Sequence, residues 1–297
     1  MTNQDKTREK LYSLLGNLPE RHRPISAKLA SEDDKGSYIL ETLLLDLNGQ
    51  EQVPAYFTRP KNAKPPYPVL LYSHAHGGQY QVGKNELIVT PPPPYIWKVP
   101  YAEAMAQRGV ACLCIDHWCF GERHKRSEDA TFKHMLWHGQ VMWGMMVYDS
   151  LRAVDYLVSR PDVDARRIGA VGISMGSAIT YWTAALDPRI KTCVDMCLLA
   201  EYDEGTHAIL LCVPSLRKHF SIGDINALIA PRPHLSTAGR HDTLTPFNGL
   251  KKIEAQLLKV YEEAGVPDGF KLSIYDCGHC ETEAMREEVM AFFDKTL

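Results

Sequence analysis

The stretch that decides the fold is Arg167-Ile168-Gly169-Ala170-Val171-Gly172-Ile173-Ser174-Met175-Gly176-Ser177. Its first half is short and apolar, as expected of a strand buried on both faces. From Met175 to Leu186 small and apolar residues run on with no turn signal, and the pattern is helical. A serine at a sharp turn between such a strand and helix presents its hydroxyl above the sheet edge. Gly172 and Gly176 leave room for the tight backbone and for the helix to pack closely on the strand. A five-residue Gly-x-Ser-x-Gly match alone is a weak pattern that arises by chance, and the plainer alternative is an ordinary strand-to-helix turn with a serine cap. The weight comes from the context around it.

Outward from this turn, short apolar runs alternate with helical stretches. The runs are Val69–Ser73, Val110–Ile115, Ile168–Gly172, Ile190–Met196, His234–Ala238 and Lys271–Tyr275. Helices are predicted near 98–108, 138–159, 175–186, 248–264 and 280–295. This is the texture of a parallel sheet covered by crossover helices. Tyr38–Leu47 and Gln52–Thr58, separated by Asn48-Gly49, read as an N-terminal antiparallel hairpin. The expectation is an α/β fold with about eight mostly parallel strands. A helical extension over 1–34, with a helix at 5–16, would precede one catalytic domain over 35–297. Segments 78–98, 117–137 and 199–222 fall outside the alternation as small loop or lid insertions, and Pro91–Pro94 reads as a stiff extended loop.

The chain has 297 residues and a formal net charge of −3. Nucleic acids and anionic membranes call for basic patches, so neither is expected as a partner. The polar N-terminus lacks the apolar core of a secretory signal, and no run reaches the ~20 apolar residues of a membrane span. With no export signal, the eight cysteines read as reduced, mostly buried thiols in a cytoplasmic protein. The N-terminal helix and hairpin could pack on the domain or on a second subunit, so a homo-oligomer stays open.

An elbow serine needs a base, and the base an orienting acid. In this strand–turn–helix context the order is serine, acid, histidine. Asp242 falls in the loop after His234–Ala238 and His279 in the loop after Lys271–Tyr275, both on the sheet edge that carries Ser174. Asp195 and Asp276 are rival acids. One oxyanion donor is expected from the Met175 amide. The other is expected from the loop His74-Ala75-His76-Gly77-Gly78, with His76 favoured and Gly77 its neighbour. His74 and His76 lack the further ligands that would complete a metal site, so no metal or other cofactor is expected. Tyr95, Trp97, His117, Trp118, Trp137 and His219 lie in the loop segments and are candidate pocket walls. Gly121-Glu122-Arg123 reads as an internal ion pair tying down a loop. Cys277-Gly278-His279-Cys280 matches a thiol–disulfide pattern, but it lies near the end of a complete sheet and reads as coincidence around the histidine.

Together, His74–Gly78, Asp116 with Gly121-Glu122-Arg123, Asp155-Tyr156-Leu157, Arg160-Pro161, Val163-Asp164, Arg167–Gly169, Gly172–Gly176, Ala230-Pro231-Arg232-Pro233 and Asp242 with His279 form a recognisable set. Over residues 35–297 the chain resembles the dienelactone-hydrolase and acetyl-xylan-esterase-like branch of the α/β hydrolases. That resemblance implies the α/β-hydrolase fold, carboxylic ester hydrolysis on a small-molecule ester, and Ser174, Asp242 and His279 as nucleophile, acid and base. Ala75 stands where the related His-Gly-x-Gly-Gly turn has glycine, and Ser177 where many relatives have a second glycine. Serine rather than the cysteine of dienelactone hydrolases argues for an esterase. A peptidase or amidase of the same fold is the second reading; a non-catalytic binding protein or a thiol-redox protein are others.

Overall fold

The structure, a computed structural model, describes residues 2–90, 95–201 and 211–297. The Pro91–Pro94 run, expected as a stiff loop, and residues 202–210 of the third loop segment lie outside the described residues. Nine strands form one sheet: β1 (Ser26–Asp34), β2 (Tyr38–Asp46), β3 (Val53–Pro60), β4 (Tyr67–Ser73), β5 (Ala111–Ile115), β6 (Val163–Ile173), β7 (Ile190–Met196), β8 (His234–Gly239) and β9 (Phe270–Tyr275). Their order is β1-β2-β3-β5-β4-β6-β7-β8-β9. The first four in this order pair antiparallel and the rest parallel. The fold is the α/β-hydrolase type implied by the sequence.

Strands buried on both faces need cover on both. On one side, residues of α1 (Asn3–Ser13), α3 (Glu128–Trp137), α4 (Met142–Ser159), α5 (Met175–Leu186), α6 (Ile222–Ala227) and α7 (Phe247–Glu263) build one apolar cluster with the sheet. On the other, α2 (Tyr101–Ala106) and α8 (Glu283–Thr296) build a second. α5, which leaves Ser174 directly, is buried from Met175 through Ala185. Such a helix cannot shift without opening the core.

Two elements escape the sequence pattern. β1 is exposed at every residue and reads Ser-Ala-Lys-Leu-Ala-Ser-Glu-Asp-Asp. No apolar alternation marks it, and it is a strand because β2 supplies its ladder, with Ser26 opposite Asp46 and Asp34 opposite Ile39. The sheet therefore has nine strands rather than about eight, and residues 26–34 belong to it rather than to a purely helical extension. Leu11 and Leu15 likewise lie in the main core, so the N-terminal helix is docked on the domain. The second element is α3, inside the segment expected to be irregular, which buries only Thr131 and Met135.

Candidate active site

Ser174 sits between β6 and α5 with φ 58° and ψ −125°, a left-handed backbone that few non-glycine residues adopt. Its N–H donates to the carbonyl of Met196 at the end of β7 (2.9 Å). A Cβ on Gly176 would lie 2.0 Å from the Ser73 carbonyl oxygen, and one on Gly172 would lie 2.3 Å from Gly176 backbone. Glycine at both positions is a steric requirement of the turn. Ser177 is fully buried, and its hydroxyl donates to Asp195 (3.5 Å).

β8 and β9 run parallel beside one another, and the loops at their carboxyl ends are zipped together. Arg240 N–H donates to the Tyr275 carbonyl and His241 N–H to that of Cys277, at 2.7 and 2.9 Å. This brings Asp242 Oδ2 to 2.8 Å from His279 Nδ1. Asp242 is also held by the Leu244 amide and the Thr245 hydroxyl, each at 2.8 Å. Burial raises its carboxyl pKa, but His279 and these donors outweigh burial and leave it below the usual range. His279 Nε2 is buried and has no hydrogen-bond partner. A buried polar atom left without a partner stands out in a folded chain, where such atoms are ordinarily hydrogen-bonded.

The rival acids are committed elsewhere. Asp195 is fully buried against His234 Nε2 (2.5 Å) and the Ser236 hydroxyl (2.9 Å). Asp276 is largely exposed and meets His241 (2.7 Å). Burial, followed by Cys280, pushes the Cys277 thiol up to about 11. That is opposite to what an attacking thiolate needs.

In the 74–78 loop the amides divide. Ala75 N–H donates to Glu86 Oε1 (3.0 Å), Gly78 N–H to His76 Nδ1 (3.0 Å) and Gln79 N–H to the His76 carbonyl (2.9 Å). No hydrogen bond of the His76 or Gly77 amide is found among the described residues. The two histidines both pack on Phe120 but bond to different partners. His76 Nε2 meets Glu128 (2.8 Å). His74 is buried, its pKa pushed down to about 4 by desolvation. Its Nδ1 donates to the Ala75 carbonyl (2.9 Å) and its Nε2 accepts from His117 N–H (3.1 Å), which fixes a neutral tautomer.

The pocket expectations fare unevenly. Tyr95 packs its ring against Gly77, where a Cβ would stand 2.8 Å from it. Trp97 N–H donates to Glu281 Oε2 (2.9 Å), which ties its loop to the His279 loop. Trp118 helps line a cavity of about 310 Å³ with Arg123, Lys125, Arg126 and His134. His117 is no wall, being fully buried against His74. Trp137 is 90% exposed at the end of α3. His219 lies in a groove with Gln4 and Thr7 of α1, because the chain has turned there toward α6. Glu122 and Arg123 do fasten a loop: Glu122 meets Lys84 (2.5 Å), and Arg123 meets Glu51 (2.7 Å) and Asp149 (2.9 Å). Sequence reading missed Glu86 and Glu281, both buried beside the site. It also missed an apolar cavity of about 300 Å³ lined by Trp143, Tyr181, Trp182, Leu198 and Leu216.

A mostly parallel sheet with an elbow serine at one strand end, and an aspartate–histidine pair two and three strands along, defines an α/β hydrolase. The chain belongs to the acetyl xylan esterase (AXE1) family, whose family model matches residues 23–208. YtaP of Bacillus subtilis (strain 168), which carries a hydrolase name, is 47% identical over 98% of each chain. Among solved structures, an acetyl xylan esterase from Paenibacillus sp. R4 covers all of this chain and 95% of its own, with TM-score 0.67 and 19% identity. A glucuronoyl esterase from Solibacter usitatus is also 19% identical, with TM-score 0.71 over 97% of this chain and 91% of its own. At these identities the two structures speak for the fold.

Proposed function

We propose that the chain hydrolyses carboxylic esters by two-step acyl transfer with Ser174 as nucleophile. The observation that carries this reading is the 2.8 Å bond from His279 Nδ1 to Asp242, with His279 Nε2 left unpartnered. In the proposed reaction Nε2 takes the Ser174 hydroxyl proton as the oxygen attacks the ester carbonyl. Asp242 holds the ring and stabilises the imidazolium. The amides of Met175 and His76, with Gly77 beside it, donate to the developing oxyanion. His279 returns the proton to the departing alkoxide, and the alcohol leaves. Water then enters, gives a proton to His279 and releases the carboxylic acid, restoring Ser174. Water is the only co-substrate this scheme requires.

The family assignment supports an acetyl ester carried on a saccharide as the substrate class. The test is a panel of esters varying acyl length and alcohol, run beside Ser174→Ala. Activity should be highest on acetyl esters and fall on the order of 10⁶-fold in the variant, as for other triads. Fluorophosphonate labelling should vanish with it. Near-wild-type hydrolysis by Ser174→Ala would sink the nucleophile assignment. An aminoacyl amide cleaved faster than the matched ester would favour a peptidase.

A further inference from the structure

Glu86 is fully buried in the short helical turn Gly83–Leu87 beneath the 74–78 loop. Three donors converge on it: Tyr72 hydroxyl (2.8 Å) and Ala75 N–H (3.0 Å) on Oε1, and Tyr95 hydroxyl (2.5 Å) on Oε2. No cation pairs with it among the described residues. Burial pushes its pKa up to about 7, with the nearby Glu281 adding to the rise against these three donors. A carboxyl group without a counter-charge is costly inside a protein. Its position therefore calls for a reason.

The reason lies in what the donors hold. By taking the Ala75 amide, Glu86 fixes the His74–Ala75 peptide, one unit before the peptide that carries the His76 N–H, and the next two amides stay uncommitted. By taking the Tyr95 hydroxyl, it presses that ring onto Gly77. Tyr95 in turn reaches the histidine loop, since its carbonyl accepts from Glu281 N–H (2.8 Å), two residues past His279. Glu281 is itself buried and anchored by Tyr101 (2.7 Å), Trp97 N–H (2.9 Å) and Arg286 (2.6 Å). A continuous chain of hydrogen bonds thus joins the loop of His76 to the loop of His279.

We infer that Glu86, acting through Tyr95, is a positioning residue that sets the His76 and Gly77 amides against the loop carrying His279. This rests on the ester-hydrolase reading above. Glu86 touches no reacting atom; it acts on the donors that do.

The experiment compares Tyr95→Phe, Glu86→Gln and the double variant on p-nitrophenyl acetate, with Ser174→Ala alongside. Tyr95→Phe deletes the hydroxyl and keeps the ring on Gly77. Glu86→Gln keeps an acceptor for Tyr72 and Ala75 but turns an N–H toward Tyr95. Each single change should lower kcat about 10-fold, with KM within about twofold, part of the 10²–10³ attached to a lost oxyanion donor. The double variant should be no worse than the poorer single one, because both act on one linkage, which Tyr95→Phe removes and Glu86→Gln weakens to an amide N–H donated to the phenol oxygen. The affinity for a boronic acid, which forms a tetrahedral adduct, should fall in parallel with kcat. A merely structural loss would not produce that parallel. Wild-type kcat in Tyr95→Phe, an effect confined to KM, unchanged boronate affinity or additive losses would each overturn the inference. If Glu86→Gln does not fold, Tyr95→Phe and the boronate measurement still decide. Should Ser174→Ala remain active, the hydrolase reading itself has failed, whatever the Tyr95 variant does.

Discussion

Gly176→Ala tests how far the elbow depends on contact between helix and strand. The new Cβ would stand 2.0 Å from the Ser73 carbonyl oxygen, 2.8 Å from its carbon and 2.9 Å from the His74 carbonyl oxygen. All are backbone atoms that cannot rotate away. Ordinary contact begins at 3.4 Å, so α5 and the end of β4 must part by more than ~1 Å. Overpacking of this kind costs about 1–3 kcal/mol, which for a chain of this size lowers Tm by roughly 2–5 °C. The direction of the movement matters more. β4 leads straight into the loop of the His76 amide, and α5 begins with the Met175 amide, so the change separates the two proposed oxyanion donors. Misplacement by 1 Å can cost about 10²-fold in rate. The expected result is kcat down about 100-fold on p-nitrophenyl acetate with KM nearly unchanged, and a lowered melting temperature in the same preparation. Wild-type kcat and Tm would refute the steric account of the elbow.

Further outcomes follow from other residues. Glu86, raised from 4.5 to about 7 in the folded chain, contributes stability below pH 4.5 that is lost as pH rises to about 7, on the order of 3 kcal/mol at most. Urea midpoints from pH 4.5 to 8 should therefore fall less steeply in Glu86→Gln, and parallel curves would contradict this. Asp242, whose pKa is depressed, has the opposite sign. Its contribution is present above its unfolded value of 3.8 and lost as pH falls through the lower folded one, so Asp242→Asn should flatten acid unfolding at low pH. Arg123→Ala strands Asp149, whose carboxyl is buried with Arg123 as its ion-pair partner. It should cost about 3–5 kcal/mol in a denaturant titration. Trp137→Ser removes a side chain that is 90% exposed and should shift stability by less than about 0.5 kcal/mol, with hydrolysis unchanged.

The parallel half of the sheet was legible because burial on both faces writes itself as unbroken apolar runs. β7 over Ile190–Met196 is the clearest case. β1 was not legible, because an exposed edge strand is set by its neighbour's hydrogen bonds and not by its own side chains. In α3 only Thr131 and Met135 face inward, too few to make a stripe. At the site, chain order alone placed Ser174, Asp242 and His279 on one edge. Glu86 and Glu281 were invisible, since a glutamate in sequence reads as a solvated charge. Only the convergence of Tyr72, Tyr95 and Ala75 on Glu86, and of Tyr101 and Arg286 on Glu281, shows otherwise. Aromatic residues in loops announced a wall but not its direction, and so His117 proved buried and Trp137 exposed.

Ser174 is kept at φ 58° by neighbours that leave its backbone no alternative. An L-residue confined there loses about 1 kcal/mol or more, and glycine would lose almost none. The position is thus a site of conflict between durability and chemistry. Ser174→Gly should yield a sturdier protein that has given up its hydroxyl, and selection for thermal endurance alone would drift toward it. If Ser174 is the nucleophile proposed above, that strain is what the chain gives up in robustness to keep a hydroxyl at the strand end.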